Sequence, residues 1–155
     1  MEAFEEIVQQ LLTATDASRT TLRLDWPERG LHVNDVAAEA LKPGVSSLRG
    51  QTSIDQRRAE TVRWLERERR PLIQQNCLEA DTAPPRELIQ LYGVRAQMLG
   101  PILRDGRVVG WLSVHENGGL RRWSRGDAAV LLRAMAAIDD ILGQHEPGCQ
   151  RRTRR

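Results

Sequence analysis

The chain of 155 residues contains two cysteines, three histidines, one lysine, one phenylalanine and one tyrosine. Cys77 and Cys149 are too few for a disulfide framework and suit a reducing compartment. His32, His115 and His145 are scattered, with no C-x-x-C or H-x-x-x-H spacing, so no metal site is expected. No P-loop, G-x-G-x-x-G or G-x-S-x-G element occurs, so no catalytic constellation is named and a non-enzymatic role is expected. No apolar run approaches the ~18 residues of a membrane-spanning helix. The acidic, amphipathic start MEAFEEIVQQ does not look like a signal peptide. The expectation is a cytoplasmic protein without a membrane partner.

What is present describes a globular chain, with 40% hydrophobic and 28% charged residues. The length suits a single domain. Its +2 net charge misleads, because four of its 22 arginines lie in the last five residues, RRTRR. Without them, 19 basic residues face 21 acidic ones, a balance of −2. A nucleic-acid surface needs cations clustered on one folded face, and the body offers no such cluster, so no specific nucleic-acid partner is expected. Residues 144–155 lack apolar periodicity and are expected to form a disordered, arginine-rich tail after a domain spanning 1–143.

Periodicity places the elements. Phe4, Ile7, Val8, Leu11 and Leu12 make one apolar stripe over a helix at 2–14. A strand follows at 20–24, then a second expected over 31–40, a helix over 54–70 and a brief strand at 71–76. One or two helical turns are expected at 87–92. Strands at 97–103 and 108–115 flank Asp105-Gly106, the pair that a tight type I′ turn requires. Both are apolar on both faces, which calls for cover on each side of the sheet. Ser124 and Asp127 announce a final helix over 125–142, striped by Leu131, Met135, Ile138 and Leu142. The order predicts an α+β domain: an antiparallel sheet with terminal helices on one face and shorter helices and loops on the other.

With these elements in place, the chain resembles the GAF domain family. The resemblance rests on Val94-Arg95-Ala96 and the run to Pro101-Ile102, on Asp105 to His115, and on Arg122-Trp123-Ser124 with the closing helix. It extends over about 3–142. It implies a small-molecule pocket between the sheet and the elements opposite the terminal helices, and pairing through those helices. Val94-Arg95-Ala96, His115 and Arg122-Trp123 are similar to bilin-binding members, which carry an anchoring cysteine roughly a dozen residues before the Val-Arg-Ala block. Here that neighbourhood is Thr82-Ala83-Pro84, and Cys77 is followed by Leu78, so no covalent bilin is expected and the cofactor stays unknown. The branch of the family that reduces methionine sulfoxide needs several cysteines near the pocket, a poor match to two.

Trp111, Ser113 and His115 share one strand face and form the core of the candidate ligand site. Parity alone leaves open whether that face meets a pocket or the terminal helices. Arg95 is a candidate for gripping a carboxylate, with Gln97, Trp64 and Tyr92 as further lining candidates. Cys77 is the one redox candidate. The reading is a sensory or regulatory domain that binds an organic ligand reversibly and signals to a separate output protein. It is expected to be a homodimer through helices 2–14 and 125–142. The alternatives are a dimerisation scaffold without a ligand and, less favoured, a small cysteine-dependent redox enzyme.

Overall fold

The computed structural model describes residues 2–51 and 53–146. Helix α1, Glu2–Thr15, leads into strand β1, Arg19–Leu24, and then β2, Ala38–Leu41. Helix α2, Glu60–Glu68, precedes β3, Leu72–Gln74, and the short helix α3, Arg86–Gln90. The long strands β4, Ala96–Arg104, and β5, Arg107–Glu116, are followed by α4, Arg125–Gln144. The five strands form one antiparallel sheet in the order β2-β1-β5-β4-β3.

Local chemistry accounts for the clearest joints. The β4–β5 turn holds Asp105 at φ 51° and Gly106 at φ 75°, both in the left-handed region that this hairpin requires. At the start of α4 the Ser124 hydroxyl accepts from the Asp127 N–H at 3.0 Å, while the Asp127 carboxylate accepts from the Ser124 N–H at 2.9 Å. This reciprocal box satisfies donors that the first helical turn otherwise leaves bare.

The two sheet faces differ in kind. One is apolar: Leu22, Leu24, Met98, Ile102, Leu112 and Val114 pack under Phe4 and Val8 of α1 and Leu131 and Ile138 of α4. Gly100 and Gly110 mark close approaches there. A Cβ on Gly100 would stand 2.6 Å from Met135 Sδ, and one on Gly110 would strike the Arg23 carbonyl oxygen and come within 3.0 Å of Leu24 Cα. The opposite face carries Arg19, Thr21 and Arg23 of β1 beside Gln97, Trp111, Ser113 and His115. It is covered by α2, by the α3 region and by the segment between β2 and α2.

Two expected elements take a different form. The strand expected over 31–40 shortens to Ala38–Leu41. Leu31 bridges back to Trp26 around Gly30, at φ 67°, and the Val33 N–H donates to Asp25 Oδ1 at 2.9 Å, which bends the intervening chain. The helix expected over 54–70 breaks into a 3-10 turn, Gln56–Arg58, and α2, because Ala59 is extended. Tertiary contacts outweigh helical propensity at this joint: the Gln56 N–H donates to Asn34 Oδ1 at 3.0 Å, and Arg57 Nη2 donates to Asp25 Oδ2 at 2.5 Å. Arg69, left-handed at φ 55°, ends α2 before the Arg70-Pro71 pair. Helix α4 runs to Gln144, two residues past its expected end, and the His145 ring packs edge-on against Trp26 at 5.4 Å. The rest of the expected tail, residues 147–155 with Cys149, lies outside the described residues.

Candidate functional site

Strand pairing across β1, β5 and β4 assembles the site. Thr21 stands opposite Ser113, Arg23 opposite Trp111, and His115 is flanked by Arg19 on one side and Gln97 on the other. The two-residue period puts these side chains on the face away from α1 and α4, which answers the question that parity left open. They surround a cavity of about 20 Å³, also walled by Leu48, Gln56, Val62 and Leu99. That is room for one water.

The polar groups around this small space are poorly matched to one another. His115 is 2% exposed, and its Nδ1 lies 3.1 Å from Arg19 Nη1. A guanidinium can only donate, so Nδ1 accepts and the imidazole proton sits on Nε2. Burial, then the charges of Arg19 and Arg23, push the His115 pKa well below 6.5, so the ring is neutral. Gln97 Nε2 donates to Gln74 Oε1 at 2.8 Å, and Gln74 Nε2 donates to the Thr82 carbonyl at 2.6 Å. His115 Nε2, Gln97 Oε1 and Thr21 Oγ1 are buried with no protein partner. These are three of the four such atoms among the described residues, and all three belong to residues lining this cavity. Orphaned buried groups cost roughly 1–3 kcal/mol each, so their convergence needs an explanation.

The other residues singled out from the sequence lie elsewhere. Trp64 is at the rim of the α2 cluster, with the Arg70 guanidinium 4.9 Å from its ring. Tyr92 has the Arg19 guanidinium 5.8 Å from its ring and does not line the cavity. Arg95 Nη1 donates to the carbonyls of Ile89 and Val94, both at 3.0 Å, which ties it to α3. The cavity's arginine is instead Arg23, with Arg19 behind His115. Their alternation with Thr21 along β1 was the available signal, since a buried strand rarely carries guanidinium groups on alternate positions.

Cys77 is buried, and its nearest polar partner is Gln74 Oε1 at 4.0 Å. Burial raises its pKa from 9.0 to about 11, against a smaller opposing pull from Arg95, so at neutral pH it is an unreactive thiol. In a Cys149→Ser background, thiol labelling at pH 7.5 should be at least about a hundredfold slower in the native than in the unfolded protein, following the two-unit loss of thiolate. Comparable rates would show Cys77 to be accessible, with a thiol pKa that burial does not raise.

Wider clefts exist, but among the described residues none gathers a comparable set of buried unpartnered groups. One of about 370 Å³ lies between Trp26, Arg104 and His145, and its Arg104 is already paired with Asp139 at 3.1 Å and Glu146 at 3.3 Å. Among the described residues, no group of three or more His, Cys, Asp or Glu side chains is placed to hold a metal ion. No helix among them is long and apolar enough to cross a membrane.

A five-stranded antiparallel sheet, terminal helices on one face and a covered polar cavity on the other, defines a small α+β domain. The GAF domain family model matches residues 1–138, and the chain belongs to this family. Its solved structural neighbours include the blue-light absorbing form of the Thermosynechococcus elongatus PixJ GAF domain, at 20% identity and a TM-score of 0.68, covering 91% of this chain and 85% of that one. The green light-absorbing state of the red/green cyanobacteriochrome NpR6012g4 is similar at 17% identity and a TM-score of 0.71, covering 94% and 95%. The third GAF domain of Slr1393 from Synechocystis sp. PCC6803, in its photoproduct state, is 14% identical, with a TM-score of 0.68 over 91% and 94%. These likenesses establish a shared fold. A search among curated proteins finds no match.

Proposed function

We propose that the protein is a ligand-responsive regulatory module that binds a small organic molecule reversibly in the cavity under β1, β4 and β5. The observation that carries this reading is the convergence of three unpartnered polar atoms, from Thr21, Gln97 and His115, beside the flat wall of Trp111. A bilin, the chromophore that the resemblance to bilin-binding members suggests, fits poorly. The space holds about one water, far below the ~300 Å³ or more usual for drug-sized ligands, and Cys77 does not line it. The proposed ligand is therefore smaller and non-covalent, and it enters by displacing the cover.

That cover is tied to the helical layer. Leu48 lines the cavity, and its N–H donates to Glu39 Oε2 at 2.8 Å. The next residue, Arg49, pairs with Glu5 Oε1 of α1 at 2.6 Å, while Glu5 Oε2 accepts from the Glu39 N–H at 3.3 Å. From the cavity side, Arg19 grips the Ser46 carbonyl through Nε and Nη2, at 3.0 and 2.6 Å. A ligand that moves 46–49 thus changes contacts made by α1, the differential interaction that linkage requires. The α1–α4 seam, an apolar groove of about 290 Å³ lined by Ile7, Val130 and Ala134, is assigned to a second copy in a homodimer. A separate output protein would read the rearranged helices.

The test is a thermal-shift screen of small organic compounds, with hits confirmed by native mass spectrometry. At a hundred times its Kd a ligand contributes about 2.7 kcal/mol, a rise of roughly 5–10 °C at this chain length. Hydrogen exchange should then show altered protection in α1, and Arg49→Gln should suppress that change while leaving affinity intact. If no compound stabilises the protein, the scaffold reading, favoured by the small size of the cavity, replaces this one.

A further inference from the structure

Two guanidinium groups lie on the cavity side of β1 without a counter-charge. Arg19 is 0% exposed and Arg23 is 3% exposed, and neither forms an ion pair among the described residues. Arg19 is occupied by the Ser46 carbonyl and by His115 Nδ1. Arg23, which lines the cavity, makes one hydrogen bond among the described residues, from Nη1 to the Val33 carbonyl at 3.1 Å. Burial works against both charges; Glu39 favours both from a distance and Asp35 favours that of Arg23, but neither pairs with them among the described residues, and the Glu39 oxygens accept from Ser47 Oγ and the Leu48 N–H. Buried charge without a partner is costly, and a water would satisfy the orphaned hydrogen bonds while leaving that charge uncompensated.

The surrounding groups are mostly donors. His115 offers Nε2–H and Thr21 a hydroxyl, Arg23 brings to the lining a guanidinium bonded once, to the Val33 carbonyl, and Gln97 Oε1 supplies an acceptor. Trp111, Leu99 and Val62 add apolar wall. We infer that the ligand is a monocarboxylate with a planar apolar body and one hydrogen-bond donor, its carboxylate on Arg23, Thr21 and His115 and its donor on Gln97. A carboxylate matches the guanidinium fork and needs fewer donors than a phosphate. The inference rests on the reading of this cavity as a ligand site and adds the charge and shape of what enters it.

The experiment is calorimetric titration at pH 7.5 with ortho-, meta- and para-hydroxybenzoate, the three matching hydroxybenzamides, sodium formate and potassium nitrate. Wild type and Arg23→Met are compared, together with the hits of the compound screen. At least one hydroxybenzoate should bind about 30-fold or more tightly than its amide, the scale expected when one member of a buried, hydrogen-bonded charge pair is removed. Arg23→Met should erase that preference. Equal binding of acid and amide overturns the carboxylate assignment, and binding of formate or nitrate as tightly as the best benzoate overturns the apolar body. If Arg23→Met does not fold, the acid-to-amide ratio in the wild type decides. Neutral screening hits without acid binding refute this inference and leave the ligand-site reading standing, whereas no binding by any compound refutes both.

Discussion

Gly110→Ala should destabilise the protein by about 3 kcal/mol or more, a loss of roughly 6–12 °C in Tm, although it adds one methyl group. Gly110 pairs with Leu24 on one side and Ile102 on the other, at the centre of the sheet. Its added Cβ would strike the Arg23 carbonyl oxygen and crowd Leu24 Cα, so the obstacle is backbone and cannot rotate away. Gly100→Ala provides the contrast. There the nearest atoms are Met135 Sδ at 2.6 Å and Cγ at 2.9 Å, the end of a flexible side chain. It should cost about 1–2 kcal/mol. Urea denaturation of the two variants side by side checks the order, and equal losses would mean that β1 and β5 can separate more easily than their close approach implies.

The second large effect is a loss of stability in mild acid. His115 is held neutral in the folded state with its pKa well below 6.5, so below pH 6.5 the unfolded chain takes up a proton that the folded chain resists. The contribution is fully present above pH 6.5 and declines as pH falls toward the folded pKa. One proton of difference gives a slope of up to about 1.4 kcal/mol per pH unit below pH 6.5. At this chain length that slope lowers the melting temperature by up to roughly 3–6 °C per pH unit. His115→Gln should flatten the profile below pH 6.5. Parallel profiles for wild type and variant would contradict the neutral, desolvated state of His115.

Much of this architecture could be read from local chemistry. The Asp105-Gly106 turn, the Ser124–Asp127 box and the stripes of α1 and α4 each depend on a few neighbouring residues, and each forms where expected. Elements whose shape depends on distant partners were less legible. Leu31 to Ala37 is bent by Asp25, and Gln56 is pulled out of helix by Asn34. The same division runs through the site. Gln97, Trp111, Ser113 and His115 follow from the period of the hairpin strands. Trp64, Tyr92 and Arg95 were grouped with them through their places in the chain, and their positions are decided by α2 and α3 packing. Arg19, Thr21 and Arg23 share one face of β1, but the alternation at 20–24 marks a strand without saying what that face meets.

The glutamine pair beside the cavity has one more consequence. The Thr82 carbonyl can only accept, so Gln74 must turn its amide nitrogen toward it and its oxygen toward Gln97. Gln97 must then offer nitrogen to Gln74 and oxygen to the cavity. A main-chain carbonyl in the loop before α3 therefore sets the sign of a hydrogen-bonding group that it never touches. The preference for a ligand donor at Gln97 is relayed through two amides, and exchanging Gln74 for a residue of opposite polarity would reverse it with every lining residue unchanged.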